Sequence, residues 1–149
     1  MKPAALIGTL AAALLFGAIA VGHFVVLPAF AASPLLDPNL AKAVSSPLAL
    51  HLADLVVGAS VVVALAAPRW IAHRAGTTLA LILCAAALAH RLLLAPHLAR
   101  AWARVDLVAG RPADLLAEAQ RWADHQQWLL VAILALTIAL LGLATRRSV

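Results

Sequence analysis

Apolar residues along this chain are gathered into four blocks, at about residues 4–32, 48–67, 77–95 and 127–144, with polar and proline-containing segments between them. Each block runs for roughly 18 residues or more with almost no charge, and as a helix is long enough to cross a hydrocarbon core of about 30 Å. Breakers mark the ends. Residues 33–47 hold Pro34, Asp37, Pro38, Asn39 and Pro47 together with serines, a composition that predicts the first loop. Pro68, Arg69 and Trp70 place a breaker, a cation and an interfacial aromatic at the end of the second block. His73, Arg74, Ala75 and Gly76 then predict a short second loop.

Past the third block the pattern turns amphipathic. Leu98, Trp102 and Val105 recur at helical spacing with Arg100 and Arg104 on another face, so the third helix is expected to continue beyond Pro96. From Ala113 to Gln126, Leu115, Leu116, Ala119, Trp122 and Ala123 form a stripe opposite Asp114, Glu118, Arg121 and His125. Gly110 and Pro112 lie between, in the order expected where one helix stops and another starts. The expected fold is therefore an all-α membrane protein, one domain over 1–149. It is an up-down four-helix transmembrane bundle whose third and fourth helices extend into an extramembrane hairpin at about residues 97–126.

Composition supports lipid as the solvent: 65% of residues are apolar and 11% charged, far from the balance of a soluble domain. The formal charge is +5, but the arginines sit at block ends and in one loop, a distribution suited to setting topology and not to binding nucleic acid. Cys84 is the single cysteine, which excludes an intrachain disulfide and a multi-thiolate site, and Met1 is the single methionine, which removes the soft ligands for cuprous copper. Ala29, Phe30 and Ala31 have the form of a leader cleavage site. The apolar stretch before them is about twice the usual length, however, and carries His23 and Pro28, so it reads as the first span. Along it, Gly8 with Ala12, Ala13 with Gly17, and Ala18 with Gly22 form small-residue pairs suited to close helix packing.

Four spans put Lys2, Arg69, Arg74, Arg146 and Arg147 on one side, and Lys42, Arg91, Arg100, Arg104, Arg111 and Arg121 on the other. The first set flanks the spans tightly without acidic neighbours, which points to cytoplasmic termini. The excess of Arg over Lys and the abundance of Ala suggest a bacterial inner-membrane protein.

The candidate chemistry is a shared depth. At about 1.5 Å per residue, His23 lies roughly 8 Å below Pro28, His51 and Asp54 roughly 6 and 10 Å below Pro47, and His90 roughly 9 Å below Pro96, all toward the side of the first and third loops. Asp54 is one turn from His51, so both can face the same way. An acid within a span should turn toward the bundle or water. His23, His51, Asp54 and His90 are therefore expected as one polar layer. In one reading it ties helices together by hydrogen bonds. In another it is a site, since imidazoles and a carboxylate suit zinc or a similar divalent ion, two imidazoles suit haem, and a His/Asp chain can relay protons. His97 and His125 lie at the lip of the same side, and His73 lies on the other.

Three segments resemble a family, the four-helix membrane domain of transmembrane protein 205 and its bacterial relatives. Residues 17–30 are similar to its first helix, with a glycine, a phenylalanine and a proline-bounded exit; residues 91–104 to its third-helix exit, with a proline and basic residues; and residues 121–143 to its fourth helix, entered through a His-bearing polar turn. Where the family often has Asn or Gln near the third-helix exit, this chain has His90. The resemblance implies a small multi-pass protein with no established activity, similar at the fold level to copper-resistance membrane domains, and it implies no catalytic residue. The chain shows no nucleophile motif, phosphate loop or cofactor fingerprint. The expected role is an accessory or structural membrane module without a cofactor. The alternatives are ion, metal or small-molecule binding or transport at the polar layer, and a haem-binding redox protein. Expected partners are the lipid bilayer and other membrane subunits or a second copy, and not nucleic acid.

Overall fold

The computed structural model describes residues 3–71, 73–109 and 112–145. Lys2, the Gly110 break, Arg111 and the Arg146 and Arg147 stop lie outside them. Among the described residues, four helices are long and apolar enough to cross a membrane: α1 (Pro3–Ala31), α2 (Pro38–Trp70), α3 (Arg74–Ala103) and α4 (Ala113–Thr145). The chain is an all-α, multi-pass membrane protein. α1 packs on α2, α2 on α3 and α3 on α4, and α4 returns to α1 to close an up-down bundle.

Each helix buries one stripe. On α2 it includes Ala53, Val56, Ser60, Val63 and Ala67; on α3, Gly76, Ala80, Leu83 and Ala87; on α4, Leu130, Ile133, Thr137 and Leu140. Steps of three and four residues keep such positions on one side of a helix. The outer faces are also apolar, with Leu65 71% and Ile138 57% exposed, a surface that suits lipid and would aggregate in water. Since apolar area gains little by leaving lipid for a helix interface, close packing must come from small residues. Gly8 meets the Trp70 ring, Gly22 meets Leu52 and Gly76 meets Ile71, each so closely that a Cβ would lie within 3.0 Å of the neighbour. Gly17 faces open space. Ser60 and Thr137 are buried but return their hydroxyls to carbonyls one turn back, Val57 O and Ile133 O.

The first loop is shorter than the proline content predicts. Asp37 caps α2 by accepting from the backbone N–H groups of Asn39 and Leu40, and Pro38 takes the first helical position, where its missing N–H breaks no bond. Pro47 lies inside α2 at an exposed position. Its absent N–H leaves the carbonyl of Ala43, itself exposed, without a helical donor. The second turn is shorter too: the His73 Nδ1 accepts from Ala75 N–H at 3.1 Å and caps α3, so Gly76 falls within the helix.

At 30 to 33 residues, α2, α3 and α4 are each about 45–50 Å long, more than a hydrocarbon core needs. The surplus of α3 and α4 forms the extramembrane hairpin, which has its own apolar cluster of Ala101, Val105 and Ala119 with Trp102, Leu115, Leu116 and Trp122. The start of α2 straps it down. Asn39 Nδ2 donates to Asp106 Oδ1 at 2.8 Å, Leu107 N–H donates to Asn39 Oδ1 at 3.0 Å, and Lys42 Nζ donates to the carbonyls of Val105 at 2.7 Å and Trp102 at 3.2 Å. A cation on the last carbonyls of a helix also favours its dipole.

Candidate functional site

α1 and α3 share a local device. Ala18–Val26 in α1 and His90–Leu94 in α3 are wound as π-helix, and each widened segment ends just before a proline. The Leu27 N–H reaches back five residues to Gly22 O ahead of Pro28, and the Ala95 N–H reaches back five to His90 O ahead of Pro96. A proline ring in a regular helix collides with the carbonyl four residues back and leaves it without a donor, and a wider turn relieves that crowding. In α3 the widening also shifts the register, so the buried stripe steps from His90 to Ala95 instead of continuing by three or four.

Each widened segment carries one histidine into the bundle. His23 follows Ala12, Leu15, Ile19 and Gly22 on the buried side of α1, and His90 follows Leu83 and Ala87 on α3. His23 is 9% exposed and His90 fully buried. Their rings meet edge to face with centroids 5.6 Å apart and planes at 83°. His90 Nε2 is 2.9 Å from the side-chain amide of Gln126 on α4. His23 Nε2 and His90 Nδ1 have no partner among the described residues. An unmade hydrogen bond at a buried polar atom costs on the order of 1–3 kcal/mol, so two side by side require an explanation.

The structure thus brings together two of the four residues expected in the polar layer. His51 and Asp54 share a face of α2, as their spacing predicts, but it is an exposed one, and Arg91 Nε of α3 donates there to Asp54 Oδ1. The α2 stripe explains this. Ala53 and Val56 are buried, which turns His51 and Asp54 outward. Equal depth does not imply equal facing. The third member inside is Gln126, four residues before Leu130 in the α4 stripe. That spacing was the available signal. His97 and His125 flank the Trp122 ring at 5.3 Å and 6.0 Å and belong to the hairpin.

Among the described residues no three His, Cys, Asp or Glu side chains converge closely enough to hold a metal ion, and two imidazoles fall short of the three or four ligands zinc takes from protein. Haem between the rings does not fit either. His90 has no exposed surface and does not line the neighbouring cleft, so no slot for a macrocycle separates the pair.

That cleft has a volume of about 460 Å³ and is walled by all four helices on the side of the first and third loops. Phe24, Leu27, Leu50, Leu98 and Trp102 make much of its wall, and its polar lining residues are His23, Lys42, Ser45, Ser46, Gln126 and Gln127. Its size and its mainly apolar lining with a few polar groups are those of a small-molecule site. Comparison with known protein families, curated proteins and solved structures finds no match to this chain.

Proposed function

We propose that this multi-pass membrane protein binds a small, largely apolar molecule in the cleft between its four helices, with His23 as the polar contact. One observation carries the proposal: a nine-tenths buried imidazole that makes no hydrogen bond among the described residues lines a cleft of about 460 Å³. The cleft lies where α4 changes from the polar Gln126 and Gln127 to the apolar stripe from Leu130, a level that a lipid-soluble molecule can reach from the membrane. The orientation that fits the tightly flanking arginines is a bacterial inner membrane with cytoplasmic termini, which places the cleft on the outer side.

Native mass spectrometry of the protein released from detergent tests the proposal. A bound small molecule is expected on the wild type and not on Ala99→Trp, which puts a large side chain into the cleft from its α3 wall. A bare mass for the wild type after extraction in mild detergent from its own membrane would count against a resident ligand.

A second reading, an accessory subunit that packs against another membrane protein or a second copy, draws on the outward polar face of His51, Asp54 and Arg91. Polar groups at membrane depth gain most when covered by protein. Cysteine at position 51 in a Cys84→Ala background should form a disulfide between copies in native membranes if the partner is a second copy.

A further inference from the structure

The polar inventory of the cleft narrows what it can hold. No carboxylate lines it, so a cationic molecule would find no counter-charge. Lys42 is the one charged lining residue, and its ammonium already donates to two carbonyl oxygens of the hairpin. At the inner end, the His23 ring makes no hydrogen bond among the described residues, and the Gln126 amide uses one atom on His90. A neutral imidazole nitrogen donates or accepts according to its tautomer, so this end suits a carbonyl or hydroxyl oxygen equally. Phe24 and Trp102 are aromatic members of the wall, and aromatic side chains favour a planar ring over a bare acyl chain.

We infer that the molecule bound in the cleft is a neutral oxygen-bearing ring with an apolar tail, a quinone or a phenol, whose oxygen meets His23 at the inner end. The inference rests on the cleft reading above and adds the chemistry of its occupant. No redox step is implied. A carbonyl or hydroxyl at this end would give the His23 ring, which makes no hydrogen bond among the described residues, a partner.

The test is titration of purified protein in detergent with a decyl-tailed benzoquinone, which quenches nearby tryptophan. Saturable quenching is expected, most of it lost in Trp102→Phe, and His23→Leu should weaken binding about tenfold. Competition then reads the chemistry: decylphenol should displace the quinone, whereas decylbenzene, which lacks the oxygen, should need about ten times more. Stronger displacement by the phenol than by unlabelled quinone would assign the phenolic source, and the reverse the quinone. Decylbenzene competing as well as decylphenol, or palmitate competing better than either, would overturn the inference while leaving the cleft as a binding site. Quenching that never saturates and is unchanged in Ala99→Trp would remove the cleft reading itself. If His23→Leu does not fold, the competition series on the wild type decides alone.

Discussion

His23 and His90 come from helices one and three, yet their rings stand edge to face with centroids 5.6 Å apart, each delivered by a π-wound segment that ends ahead of a proline. Segments of this kind concentrate at functional sites, and here two of them converge on one point.

The pair should matter to stability while its expected companion should not. His90→Ala empties a fully buried position and strands the Gln126 amide, and is expected to lower stability by about 1–3 kcal/mol. His51→Ala, at an exposed position, should stay within about 0.5 kcal/mol. Thermal unfolding in detergent compares them, and equal losses would contradict the placement of the two side chains.

Glycine substitutions along α1 should divide by what faces them. A Cβ at Gly8 would lie 2.5 Å from the Trp70 ring, so Gly8→Ala forces helices apart and is expected to destabilise by about 1–3 kcal/mol. Gly17→Ala meets nothing and removes a flexible residue from a helix, so it should be neutral or stabilising by up to about 1 kcal/mol. Unfolding in mixed micelles measures both.

The outward pair of Asp54 and Arg91 is 53% and 30% exposed, and solvent or headgroups should screen it. A double-mutant cycle with Asp54→Ala and Arg91→Ala is expected to give a coupling below about 1 kcal/mol. A coupling of several kcal/mol would place the pair under a low-dielectric cover and favour the accessory role.

Acid should loosen the hairpin first. The Asn39 amide, then the backbone N–H groups of Ala109 and Val108, hold the Asp106 carboxyl below the usual carboxylate range. A carboxylate with a depressed folded value contributes its stability above the unfolded value of about 3.9 and loses it as pH falls through the lower folded value. Amide protection at Leu107, Val108 and Ala109 should therefore hold at neutral pH and drop below about pH 4. Asp106→Asn should remove that pH dependence. Protection unchanged in acid would mean that the strap to α2 rests on Lys42 and on the Leu107 N–H bond to Asn39, without Asp106.

Topology is open to a direct check. A compartment-sensitive reporter inserted at Val108, exposed in the hairpin turn, and one fused at the C-terminus should give opposite signals. Equal signals would mean an even number of crossings between Val108 and the C-terminus, and so that α4 does not span.

By itself the sequence determined the solvent, the four helices and the hairpin, because these follow from period, block length and breakers, all local properties. It also placed His23 and His90 at one depth, since rise per residue is nearly constant. Composition misled at residues 38–47, where capping by Asp37 and bonds from Asn39 and Lys42 to the hairpin outweigh the proline content. Only the tertiary structure decided which side chains of the polar layer meet. Facing depends on the phase of each buried stripe, and that phase is set by where small residues let neighbouring helices approach and by the π-wound turns ahead of Pro28 and Pro96. Those contacts turned His23, His90 and Gln126 inward and His51 and Asp54 outward; spacing within one helix can suggest such facing, as Gln126 four residues before Leu130 does, but only the contacts between helices fix which stripe is buried.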